Sequence, residues 1–201
     1  MKRHQLVLVI ICLLLSMNIY CQNLDELLNI KYKIGFAILN NKDTLTGRFE
    51  FNDCEQNYHL LVYCNPVTLK KSAYKPQEVK YFSFDTIFYI PKELKEGWEF
   101  VKLISNDSLK VYLRKRFFTT NIGSGSENQI MYEKPTGEYL LVSFNNFYSF
   151  KTRVGEFFSD DPKLSKKIYN NTYTKNDVLK IALEYNNWLK ERKGKNKLSK
   201  S

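Results

Sequence analysis

The sequence predicts an α+β fold: a mostly antiparallel sheet, curved or partly closed into a barrel or sandwich, followed by C-terminal helices packed on it. Three observations predict it. Apolar residues recur with period two from Lys31 to Phe144. The connections between these runs are rich in Asn, Asp, Gly and Pro and too short for the crossover helices of a parallel sheet. After Phe144 the apolar spacing lengthens to three and four residues.

Ahead of the sheet, Lys2 and Arg3 precede an apolar run from Leu6 to Met17. A basic start and about 7–15 apolar residues make the pattern of an export signal. The run falls short of the roughly 20 residues that span a bilayer. Residues 1–21 are therefore read as a signal peptide cut between Cys21 and Gln22, which makes the protein exported, periplasmic or secreted. The alternative is a lipoprotein anchored through Cys21. It fits less well, because Tyr20 rather than a small residue precedes the cysteine. Loss of Lys2 and Arg3 with the leader lowers the formal charge from +10 to +8. Residues 22–30 read as an N-terminal linker.

The antiparallel β region spans residues 31–144. Tyr32, Ile34, Phe36 and Ile38 alternate with Lys33, Gly35 and Ala37 in its first strand. Residues 40–43 turn the chain, and Leu45, Gly47, Phe49 and Phe51 share a face of the second strand. Residues 59–64 form a strand that stops at Asn65-Pro66. Residues 78–84 place Val79, Tyr81 and Ser83 opposite Lys80, Phe82 and Phe84, and residues 86–90 are expected to end at Pro91. Residues 99–104 and 108–117 meet at Asn106-Asp107. Residues 129–134 and 138–144 flank Pro135-Thr136-Gly137-Glu138, a turn in which Pro sets φ and Gly permits positive φ. Residues 119–128 read as a polar, mobile Gly/Ser loop.

Residues 145–193 form the helical region. Phe147, Phe150, Val154 and Phe157 or Phe158 recur at helical spacing, interrupted by Gly155. Asp161 reads as an N-cap with Pro162 in the first helical position. Thr174 and Asp177 read as the capping box of a last helix. Its apolar stripe is Val178, Ile181, Ala182, Tyr185, Trp188 and Leu189. Residues 194–201 read as a basic flexible tail, with an attraction to anionic envelope polymers as its sharper reading.

Most catalytic chemistries lack their residues. After removal of the leader one histidine, His59, and two cysteines, Cys54 and Cys64, remain, too few for a convincing metal centre. His59 reads as a strand-edge histidine. Nucleophile-elbow, Walker and dinucleotide motifs are absent from the sequence. No residue is therefore assigned a catalytic, cofactor-binding or metal-ligating role, and no cofactor is expected. Paired carboxylates could come from Glu50, Asp53, Glu55, Asp85 and Glu99, but no spacing singles out two of them. Cys54 and Cys64 are a candidate disulfide in an oxidising compartment. A turn near Gln56-Asn57 would put Cys54 opposite residue 60 rather than 64, which favours two buried thiols. The basic and aromatic run at residues 112–118 (YLRKRFF) would suggest nucleic acid in the cytoplasm. Behind an export signal it suggests an anionic glycan or lipid surface instead. The 14 Phe and 14 Tyr accompany much Lys, Asn and Ile, all A/T-rich codons, so composition alone does not signal binding.

Four pieces occur in order: Gly35 to Phe49, with a G-x-I…DT-x-x-G hairpin; Tyr74 to Tyr81; Phe158 to Ile168; and Tyr185-Asn186. Together the chain resembles a group of uncharacterised exported proteins of Bacteroidota. The resemblance implies an exported or periplasmic protein and carries over no catalytic residue. In its light, Asp43-Thr44-Leu45, Asp85-Thr86-Ile87 and Asp107-Ser108-Leu109 look like the O-glycosylation triad of such proteins, with Thr44, Thr86 and Ser108 as the candidate acceptors. The same triads are ordinary turn-to-strand junctions.

The expectation is an exported cell-envelope protein, a non-enzymatic binding or structural accessory module. Its partner would be an anionic envelope glycan, a lipid surface or another envelope protein, and not nucleic acid. The alternative is a small hydrolase acting on envelope glycans.

Overall fold

The structure is a computed structural model in which residues 32–51, 58–121, 123–143 and 147–198 are described. Among these, ten strands form one sheet: β1 (Tyr32–Leu39), β2 (Thr44–Glu50), β3 (Leu61–Cys64), β4 (Lys71–Tyr74), β5 (Val79–Phe84), β6 (Ile87–Leu94), β7 (Gly97–Asn106), β8 (Lys110–Thr120), β9 (Gly123–Glu133) and β10 (Tyr139–Ser143). Three helices follow: α1 (Phe147–Phe157), α2 (Pro162–Tyr169) and α3 (Val178–Leu198). The strand order is β10-β9-β8-β7-β6-β5-β1-β2-β3-β4, and every pairing is antiparallel. The first strand thus lies inside the sheet. One meander runs from it to the β4 edge, and a second starts beside it and runs to the β10 edge. The sheet is open, and the α+β class expected from the sequence holds.

Register explains where the core sits. Directly opposed residues in a sheet share a face. One cross-strand row reads Ala37, Phe82, Tyr89, Lys102, Leu113, Ile130 and Val142. At the β1 side, Ala37, Phe49, Phe82, Phe84, Tyr89 and Phe100 form one buried cluster. At the β10 side, Val111, Ile130, Tyr132 and Val142 pack under Phe158, Leu164, Ile168, Ile181 and Tyr185 of the helical region. The helices therefore cover only part of this face. On the opposite face Leu94, Val101, Tyr112 and Met131 make a smaller cluster.

The helical signals translate directly. The Asp161 side chain accepts from the backbone N–H groups of Lys163 and Leu164, with Pro162 in the first turn. The α3 stripe is buried from Val178 to Tyr185, and Trp188 and Leu189 pack against the same cluster. Gly155 is where α1 meets Tyr169, since a Cβ there would lie 2.8 Å from that ring.

Several expectations need correction. The β6 strand runs through Pro91, which pairs with Phe100. Beyond Tyr89 no residue of β6 pairs with β5, so the missing N–H falls on a locally free edge. The expected loop at residues 119–128 is mostly the β8–β9 hairpin, paired out to Thr120 and Gly123. Gly125 lets the Phe118 ring lie across β9, since a Cβ there would meet that ring at 3.0 Å. The short β4 gave no apolar alternation and was not expected. Val79 joins Phe82 and Phe84 in one cluster, because the register shifts between Ile38 and Leu39. Helix α3 begins at Val178, one residue past the expected box. Thr174 N–H and Oγ1 both donate to Asp177 Oδ2, so the box closes a turn in front of the helix. The helix continues to Leu198, into the segment expected as a flexible tail.

Candidate functional site

Between the two clusters, the described residues of the helix-bearing face form a groove of about 520 Å³. Its position follows from the register row. Lys102 stands at the centre of that row, the only charged member among apolar neighbours. Leu113 lies opposite it on β8, and Lys115 and Asn128 are paired one step along the same face. Phe51, Tyr58 and Tyr89 make the other wall. The Phe51 ring lies 6.2 Å from that of Tyr58 and 5.2 Å from that of Tyr89. Tyr58 in turn contacts Phe117 at 5.6 Å, and the Lys115 ammonium sits 5.5 Å from the Phe117 ring centre. Ser126 and Asn128 add short polar groups at the mouth.

Lys102 is half-buried and has no hydrogen-bond or ion-pair partner among the described residues. A lysine seldom leaves water without a counter-charge. No carboxylate, thiol or imidazole lines the groove among the described residues.

The YLRKRFF run is divided by strand alternation. Leu113, Lys115 and Phe117 face the groove side, whereas Tyr112, Arg114, Arg116 and Phe118 lie on the other. Arg114 is buried and spent on structure. Its Nε and Nη2 donate to the two Glu99 oxygens at 2.8 and 2.6 Å, and Nη1 donates to Gln129 Oε1 at 2.9 Å.

The carboxylates first considered for hydrolysis do not come together. Glu99 is held by Arg114 on the opposite face. Glu50 pairs with Lys71 on β4 at 3.0 Å. Asp85 is exposed in the β5–β6 turn with φ of 53°. Asp53 and Glu55 lie outside the described residues. A second hollow, beside the helices, does contain Asp161, Glu184 and Glu191 with Trp188. There Asp161 caps α2. Glu184 accepts from Lys167 and from the Tyr173 hydroxyl at 2.6 Å. Although burial raises the Glu184 carboxyl, those partners outweigh it and hold it below the ordinary value. A general acid needs the opposite shift.

Thr44 and Thr86 are exposed and Ser108 is half-buried, each beside a hairpin turn. Strand directions put Thr86 and Ser108 at one end of the sheet and Thr44 at the other. Cys64 is a free buried thiol whose Sγ lies 3.8 Å from the Leu69 carbonyl. Cys54, Cys21 and Gln22 lie outside the described residues. His59 sits in a helical turn rather than a strand and is exposed, with Nδ1 3.2 Å from the Trp98 carbonyl. Among the described residues there is no metal-ligating cluster of His, Cys, Asp or Glu, and no helix long and apolar enough to cross a membrane.

The groove residues Phe51, Tyr58, Tyr89 and Lys102 were not singled out from sequence. One signal was present: Lys102 shares the face of Phe100, a charge on a core-facing position. Compared with family models, curated proteins and solved structures, the chain has no match.

Proposed function

We propose that this is an exported, non-enzymatic binding module of the cell envelope. The observation that carries the reading is the groove on the sheet, walled by aromatic rings and lysines and, among the described residues, lined by no carboxylate. A hydrolase needs converging acid and base groups in a cleft. Every carboxyl group of the described residues with a perturbed ionisation is shifted down, not up. Export is supported by the basic and apolar leader and by the resemblance to exported Bacteroidota proteins.

The test uses protein purified from its own cells. Intact mass is expected to begin at Gln22, and a mass at Cys21 with acyl chains makes it a tethered lipoprotein. Hexose additions on Thr44, Thr86 or Ser108 are read in the same spectrum. Incubation with isolated envelope glycan is expected to retain the protein and release no fragments. Fragment release establishes the hydrolase reading in its place.

A further inference from the structure

We infer that two copies of this chain pair through their β10 edges, antiparallel, with Leu141 on the two-fold axis. The inference does not depend on the groove and rests on the geometry of one strand. β10 ends the sheet on the side opposite β4. At the β9–β10 turn the Lys134 N–H donates to the Glu138 carbonyl at 2.9 Å. From there, bonded and non-bonded pairs alternate along the antiparallel ladder. Tyr132 with Leu140 and Ile130 with Val142 are the bonded pairs, so Tyr139 and Leu141 turn their N–H and C=O groups away from β9. Those outward groups have no partner among the described residues. Tyr139 is 42% exposed.

Three features select a second copy as the partner. First, Tyr139–Ser143 contains no charged residue. Two-fold pairing sets Leu141 against the partner's Leu141, Tyr139 against the partner's Ser143 and Leu140 against the partner's Val142, so no like charges meet. Second, Leu140 packs on the cluster beneath the helices and Leu141 on the smaller cluster of the other face. Both apolar layers reach this edge, and both continue across the axis. Third, the far edge is guarded. Lys71 begins β4, and Lys75 and Pro76 follow it. Lysine and proline at an edge discourage further pairing, and β10 has neither. Pairing β10 with itself closes the assembly at two copies, whereas pairing it with β4 would extend without end. A strand of five residues offers less surface than the roughly 800 Å² per partner of a stable complex. The dimer is therefore weak and depends on concentration.

The experiment is sedimentation equilibrium with residue-resolved amide exchange, on protein purified from its own cells, over about a hundredfold range of concentration. The mass is expected to rise from one copy towards two. At the low end the Tyr139 and Leu141 amides are expected to exchange freely, while those of Leu140 and Val142 are protected by β9. Where the dimer predominates, the Tyr139 and Leu141 amides are expected to slow by about tenfold. Tyr139→Pro removes an outward N–H that the sheet does not use, and it is expected to stay a single copy throughout. Should that variant fail to fold, the wild-type exchange measurement decides alone. A wild type that stays a single copy overturns the inference. So does a dimer whose Tyr139 and Leu141 amides remain unprotected, or a folded Tyr139→Pro that still dimerises. Protection that appears only when envelope extract is added at fixed protein concentration gives the edge to a different chain and overturns the second copy.

Discussion

The backbone N–H of Leu109 donates to Asn186 Oδ1 at 2.7 Å, joining residues 77 positions apart. Leu109 follows the β7–β8 turn and is fully buried, and Asn186 is 2% exposed on α3. The neighbouring Tyr185 hydroxyl donates to Asp160 Oδ2. Asp160 also receives Lys134 from the β9–β10 turn at 3.1 Å. The Tyr-Asn pair therefore fastens α3 to two hairpins and to the α1–α2 connection.

Removing the Asn186 acceptor leaves a buried N–H without a partner. Asn186→Ala is expected to cost about 1–3 kcal/mol in urea denaturation. Asn187→Ala, one residue on and exposed, is expected within about 0.5 kcal/mol of the wild type.

The Arg114–Glu99 pair makes a two-sided prediction. Both side chains are buried, so losing one strands the other's charge. Arg114→Met alone is expected to destabilise by about 3–5 kcal/mol. Adding Glu99→Leu to it is expected to restore most of that loss, because an apolar pair of similar volume is often neutral. A double variant no more stable than the single one, in the same denaturation assay, would assign the pair a role beyond charge compensation.

Acid sensitivity follows from Glu133. Burial raises its carboxyl, but hydrogen bonds from Lys92 and Tyr112 and the Lys92 charge outweigh that and hold it below the ordinary 4.5. A depressed folded value gives stability that is full above the unfolded value and lost as pH falls through the folded one. Wild-type stability is expected to decline below about pH 4.5. Glu133→Gln is expected to be less stable at about pH 7 and to show a flatter acid limb, in denaturation curves taken down to about pH 3.

Gly35 opposes Gly47 on β2 and Phe84 on β5. A Cβ at Gly35 would fall 2.0 Å from the Ser83 carbonyl oxygen, a backbone atom that cannot step aside alone. Gly35→Ala is expected to cost about 1–3 kcal/mol by forcing β1 and β5 apart. Gly137→Ala has no such neighbour, so its cost is confined to the positive φ of 88°. Thermal melts of the two variants separate crowding from backbone strain.

These sites also mark what the sequence could convey. The α3 stripe and the Asp161 cap depend on residues close in the chain, so periodicity and capping rules reached them. The groove depends on Lys102 standing beside Tyr89 and Leu113, which is a matter of strand register. Pro91 hid the length of β6, and the small residues of Gly123–Ser126 hid the start of β9. Without those two lengths the row across the sheet could not be assembled. Asn186 was legible as half of a Tyr-Asn pair, but its partner is an N–H from the far side of the chain.

The interior position of β1 constrains how the protein must be made. A chain that emerges N-terminus first can pair β1 with β2 at once, as a local hairpin. The other edge of β1 stays raw until β5 has also emerged. During that interval the chain presents an unpaired strand flanked by aromatic residues, the kind of surface on which aggregation begins. Its quality control therefore falls on the stage before β5 arrives, and a chaperone that recognises bare strand edges would act on it there.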